Sequence, residues 1–180
     1  MKDIVEIYKE CGDFHESVKR SGLTPLVAHI KLMKSGVLKI QDKIKYASRG
    51  GRLGGLAEEL FQKLVPDAVD ANKYWQKNNP IYDFMYKGLT IDVKYSSYHS
   101  RGKKTNYWNI RTKGKQNITV AFLERKSGDE LKNPYCLLIP NGFIGTKCDT
   151  HVSKSGEWFQ NFRIELDELQ KYLDEYAEFV

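Results

Sequence analysis

The chain has 180 residues, 41 % apolar and 12 % aromatic, which is enough for a packed core and too much for wholesale disorder. Its longest apolar stretch, around Cys136-Leu137-Leu138-Ile139, is far too short to span a bilayer, and Met1-Lys2-Asp3-Ile4-Val5-Glu6 is no apolar leader. Cys11, Cys136 and Cys148 are scattered and odd in number, without zinc-ligand spacing or a disulfide framework, so a reducing cytoplasm and no membrane contact are expected.

The formal charge is +6, and its distribution says more than its sum. Residues 1–55 carry eleven Lys and Arg against six acids, and residues 86–115 carry eight against one. Residues 165–180 hold six acids and one lysine. Two basic regions and an acidic tail point to a polyanion held at one side, with the tail kept away from it.

Three short amphipathic helices are expected first. One follows Asp3 and ends before Gly12; a second is capped by Asp13 and carries Phe14 and Val18 at i, i+4. After the turn Ser21-Gly22-Leu23, Thr24-Pro25 is a strong start signal, a capping hydroxyl followed by proline at the first helical position. The third helix shows Leu26, Ile30 and Met33 on one face. Helix, glycine-containing turn and helix resemble a helix-turn-helix DNA-binding head, although a plain three-helix bundle has the same spacing. As a head, it would place Thr24, His29, Lys31 and Lys34 toward DNA.

Residues 39–45 are polar and basic, and Ser48-Arg49-Gly50-Gly51-Arg52 reads as a hinge, so the expected domains are 1–48 and 49–180. A helix is expected from about Gly54 to Leu64, with Leu56, Leu60, Phe61 and Leu64 on its apolar side. Strands are expected over 68–75, 81–85, 89–95, 107–111, 118–123 and 135–139, and a closing helix over 166–177. This pattern is an α+β or α/β core behind a small helical head.

The sharpest chemistry lies in residues 81–94. If Lys87-Gly88 is a two-residue hairpin turn, Asp83 stands opposite Asp92, and strand alternation puts Lys94 on the same face. The other face then reads Tyr82, Phe84, Leu89, Ile91 and Val93. Opposed carboxylates repel, and a divalent cation with a preference for hard oxygen ligands would offset that cost. Asp-x-Lys is a common pattern. Glu124-Arg125-Lys126 also ends a good strand, and Glu130-Leu131-Lys132 lies in a polar loop.

Asp83, then Asp92-Val93-Lys94, preceded by a helix with Gly54-Gly55-Leu56-Ala57-Glu58-Glu59, resembles the PD-(D/E)xK nuclease superfamily over roughly residues 52–140. That resemblance implies a restriction-endonuclease-like mixed sheet flanked by helices, and a Mg²⁺- or Mn²⁺-dependent deoxyribonuclease. Its implied roles fall on Asp83 and Asp92 with the Val93 carbonyl as metal ligands, on Lys94 as the group assisting water, and on Glu58 as the completing acid. Glu59 is a near equal, because one residue turns a helix face by about 100°. Tyr82 stands where the family carries proline. Arg101, Lys103, Lys104, Arg111, Lys113 and Lys115 follow, interleaved with aromatics, and suit contact with a nucleic-acid backbone.

The function these readings imply is a DNA endonuclease acting on duplex DNA as a homodimer or higher oligomer, at the nucleoid or in a phage-infected cell. The alternative is a DNA-binding regulator or mobile-element inhibitor that keeps the fold without cutting.

Overall fold

The computed structural model describes residues 2–40, 42, 44, 49–71, 82–101, 105–112, 114–145 and 149–180, with only the backbone for residues 49, 50, 101 and 105. Ile81, Lys103, Lys104, Lys113 and Cys148 lie outside the described residues. The architecture is mixed α+β in two compact units, Met1–Arg52 and Leu53–Val180. Among the described residues no helix is long and apolar enough to cross a membrane.

In the first unit each helix is opened and closed by its own sequence. Helix α1 (Ile4–Cys11) stops at Gly12, whose φ of 65° turns its N–H back onto the Tyr8 carbonyl. Helix α2 (Phe14–Ser21) begins where the Asp13 carboxylate accepts the Glu16 N–H at 2.7 Å. Helix α3 (Pro25–Lys34) begins at Thr24-Pro25, with the Thr24 hydroxyl accepting from the Val27 N–H. Ile4, Phe14, Ala28, Leu32 and Leu38 form the core of the unit.

The expected apolar face of α3 is corrected here. The helix buries Ala28 and Leu32, while Leu26 is 69 % and Ile30 38 % exposed. Ala28 and Leu32, one turn apart, lie on the same side of the helix. Met33 is only partly buried beside them.

Helix α4 (Arg49–Leu64) begins inside the expected hinge, so Arg49 to Arg52 are its first turn rather than a linker. Gly50, Gly51, Gly54 and Gly55 each lower helix propensity by about 1 kcal/mol, and the helix runs on through them to Leu64. Leu53, Ala57, Phe61 and Val65, spaced by four, are buried, whereas Leu56 is 37 % exposed and does not belong to the apolar face.

The second unit is built on a six-stranded sheet in the order β1-β2-β3-β6-β7-β9: Val69–Asp70, Phe84–Tyr86, Leu89–Ser96, Ile118–Leu123, Tyr135–Pro140 and Arg163–Ile164. Every neighbouring pair is antiparallel except β3 and β6. The crossover between those two carries β4 (His99–Arg101) and β5 (Thr105–Arg111), which pair with β8 (Asp149–Ser153) as a second, three-stranded sheet. Between the strands expected over 89–95 and 107–111 the chain thus adds the short strand His99–Arg101 and begins β5 two residues early, at Thr105. Of the strand expected over 68–75, the described part pairs only at Val69 and Asp70.

Strand β6 is buried along its whole length, because both faces of the large sheet are covered. Ile118, Val120 and Phe122 join Phe84, Ile91 and Val93 beneath α4 and the C-terminal helix α7 (Leu169–Ala177). On the opposite face, Ala121, Leu123, Leu137 and Ile139 pack with Trp108, Ile110 and Val152 of the small sheet, Ile144 of α5 (Asn141–Ile144) and Phe159 of α6 (Glu157–Phe162). The acidic C-terminal helix thus covers one face of the sheet. It also touches the β2–β3 turn, where Lys87 Nζ donates to Asp174 Oδ1 at 2.7 Å, so the acidic tail is not kept clear of the basic 86–115 region; Asp92 and Lys94 alternate onto the other face.

Candidate active site

The β2–β3 hairpin pairs Phe84 with Ile91, Met85 with Thr90 and Tyr86 with Leu89, the register that a Lys87-Gly88 turn demands. Both turn residues have positive φ, 47° and 88°, as a type I′ turn requires. One step further the ladder slips. The Asp83 N–H donates to the Ile91 carbonyl at 2.9 Å, so Asp83 and Phe84 share one partner in a β-bulge.

The expectation that Asp83 stands squarely opposite Asp92 is corrected accordingly. Directly opposed carboxylates repel, and the bulge moves Asp83 off that position so that its Oδ2 accepts the Val93 N–H at 2.8 Å. Tyr82 leaves the apolar face with the same slip and directs its hydroxyl to Met85 Sδ.

Asp92 is buried, and both its oxygens are engaged. Lys94 Nζ donates to Oδ1 at 2.6 Å, and the Thr112 hydroxyl, just past β5, donates to Oδ2 at 3.2 Å. Behind Thr112, the buried Gln116 amide donates to Thr112 Oγ1 at 2.7 Å and to Thr119 Oγ1 at 2.6 Å. The Gly114 N–H also reaches Thr112 Oγ1, so two donors occupy its lone pairs and its single proton is left for Asp92. The Lys115 N–H on Gln116 Oε1 fixes which way that amide points.

Burial, above all, pushes the Asp83 carboxyl up to about 7. The Val93 N–H opposes this, the charges of Asp92 and Glu58 raise it further, and Lys94 lowers it. Asp83 thus lies within electrostatic reach of Asp92, Lys94 and Glu58. Glu59, the alternative helix acid, is exposed. Among the described residues no group of three or more His, Cys, Asp and Glu side chains converges as a ready-made metal cage.

The competing Glu124 has a different role. It is buried at the end of β6, where Oε2 accepts the Tyr98 N–H at 2.8 Å and Oε1 accepts the N–H groups of Gly128 and Glu130 at 3.0 and 2.9 Å. A carboxylate committed to three backbone donors ties two loops to a strand end. Glu124→Ala strands those donors and is expected to destabilise the protein by about 3 kcal/mol or more in urea unfolding. Glu130 adopts a φ of 52° in the loop that Glu124 holds.

The candidate DNA contacts are dispersed. Thr24, Lys31 and Lys34 are exposed on or beside α3, whereas His29 is half-buried with its ring edge-on to Phe14. Arg111 is exposed and pairs with Asp149 at 2.9 Å, and Lys115 is exposed. The side chain of Arg101 is outside the description. Thr112 and Gln116 were not singled out from sequence. The available hint was Thr119, a polar residue in an otherwise apolar strand on the face that carries Asp92.

No protein-family model matches the chain, and no curated protein matches its sequence. Among solved structures it is similar to a bacterial homing endonuclease, at 18 % sequence identity and a TM-score of 0.44, covering 69 % of this chain and 91 % of that one.

Proposed function

We propose that this protein is a metal-dependent DNA endonuclease whose active site is formed by Asp83, Asp92, Lys94 and Glu58. The observation that carries this reading is a buried Asp92 paired with a half-buried Lys94, beside Asp83, which is itself within electrostatic reach of Asp92, Lys94 and Glu58. Clustered buried acids are costly unless a cation offsets their charge.

The donor set fits Mg²⁺ or Mn²⁺, which favour hard oxygens, and Mg²⁺ typically takes one or two carboxylates with waters and substrate phosphate. Asp83, Asp92 and the Val93 carbonyl would hold the ion, with Glu58 completing the set. Bound there, it supplies an acidified water and polarises a phosphoryl oxygen. Lys94, held by Asp92, orients the attacking water and offsets negative charge as it builds at the phosphate. Thr112 and Gln116 hold the Asp92 carboxylate in place.

In the same reading residues 1–48 serve as a helix-turn-helix-like head for duplex DNA, and residues 49–180 cut. Cleavage of both strands calls for two such sites, which a homodimer or higher oligomer supplies. A non-cutting DNA-binding regulator is the second reading. It draws on one observation, that both Asp92 oxygens are already engaged within the protein.

Incubation of the purified protein with supercoiled plasmid and with a randomised duplex library, in Mg²⁺, Mn²⁺ or EDTA, separates the two. Metal-dependent nicked or linear product supports the enzyme, and retained binding with every library member intact in both metals sinks it. Thr112→Val is expected to weaken Mn²⁺ binding by about 10-fold in calorimetry, with Thr112→Ser restoring it, because only the serine keeps the hydroxyl that orients Asp92.

A further inference from the structure

The small sheet turns Trp108, Ile110 and Val152 inward, so the alternate residues of β4, β5 and β8 form an outer face that carries no aliphatic side chain. A polar outer face is ordinary for an antiparallel sheet. What it carries here is less ordinary. A row of rings crosses all three strands: His99 stacks on Tyr107 with centroids 5.3 Å apart, and Tyr107 stacks on His151 at 4.7 Å. The next cross-strand pair is Asn109 with His151, Oδ1 and Nδ1 3.3 Å apart, and the one after it is Arg111 with Asp149.

Amide and guanidinium groups are the side chains that most often read base edges, and strands as well as helices present them to the grooves of B-form DNA. The sequence places Arg101, Lys103 and Lys104 before β5 and Lys113 and Lys115 after it. In sequence order, basic residues therefore flank strand β5 on both sides, the composition suited to phosphate positioning beside base contact. The strand is also continuous with the proposed site, because the residue after Arg111 is Thr112, which donates to Asp92.

We infer that the outer face of β4-β5-β8 is the surface on which duplex DNA lies, with Asn109, Arg111 and His151 toward the base edges and the ring row as their rigid support. The inference rests on the nuclease reading only for its orientation toward Asp92; DNA binding itself is tested without metal.

The test is diethylpyrocarbonate labelling of the full-length protein in EDTA, with each histidine followed by mass spectrometry. His99 and His151 are exposed and should react readily in the free protein. A saturating 40-base-pair duplex of random sequence should slow both by roughly 10-fold, and Tyr107→Ala combined with Asn109→Ala should weaken duplex binding by about as much. That pair of substitutions touches none of the proposed metal ligands, so Mn²⁺ binding should be unchanged.

Full reactivity of His99 and His151 with duplex present, absence of any duplex binding, or protection by single-stranded DNA alone overturns the inference. Cutting with no protection removes this face and leaves the nuclease standing. Protection without cutting in any metal does the reverse.

Discussion

Asp92→Asn and Lys94→Met should each lower Mg²⁺-supported cleavage of duplex DNA by about 10³-fold, through different steps. Asparagine at 92 can still accept from Thr112 but lacks the charge that pairs with Lys94 and would hold the cation. Its loss is therefore expected in Mn²⁺ affinity as well as in rate.

Methionine at 94 keeps the length of the side chain and removes the amine now 2.6 Å from Asp92 Oδ1. Cation binding should persist while the single-turnover rate falls. Removing the amine also leaves Asp92 with less compensation in a buried place, so the metal-free Lys94→Met protein should melt below wild type and recover as Mn²⁺ is added. Unimpaired cutting by either variant would remove these residues from the chemistry.

The second large effect concerns stability. Asp83 holds its proton up to about pH 7 in the folded chain, chiefly because its carboxyl is buried, against an ordinary value of 3.8. Between those two pH values the folded state binds more protons than the unfolded chain. This group therefore favours folding most at low pH and progressively less as pH rises through that window. Above about pH 7 the ionised carboxylate is a standing cost, on the order of 2 kcal/mol once its partial exposure is discounted.

Asp83→Asn removes the charge and keeps an oxygen for the Val93 N–H. In EDTA at pH 8 the variant should melt about 5 °C higher than wild type, and at pH 3, below the unfolded value, the two should nearly coincide. Saturating Mg²⁺ should stabilise wild type more than the variant, because an ionised carboxylate binds the ion more strongly than a neutral amide oxygen. Equal melting at pH 8 without metal would mean that Asp83 carries no such burden. A substitution that stabilises while disabling is the expected signature of a strained functional site.

Local chemistry was legible. Gly12, Asp13, Thr24-Pro25 and Lys87-Gly88 act within a few residues of themselves, through a left-handed φ, a capping oxygen or a two-residue turn, and the structure shows each one acting so. Strand β6 has the expected bounds because six residues, apolar but for Thr119, between polar neighbours leave little choice. The short strands β4, β8 and β9 were missed, because two to five residues with mixed polarity hold strand conformation only through a partner distant in sequence.

The pairing of Asp92 with Lys94, and the presence of Asp83 near them, follow from alternation along a hairpin and could be read from residue order alone. Three matters belong to the folded chain. The bulge at Asp83, whose N–H reaches the Ile91 carbonyl, breaks the alternation that residue order implies. The commitment of Glu124 to three backbone donors distinguishes it from Asp92, although both head an acid-x-lysine triplet. The Thr112–Gln116 support of Asp92 arises only when β5 crosses over β3. Short-range preferences are set by each residue and its immediate neighbours, whereas burial and hydrogen-bond partnership depend on what long-range packing brings alongside, and no local pattern encodes that.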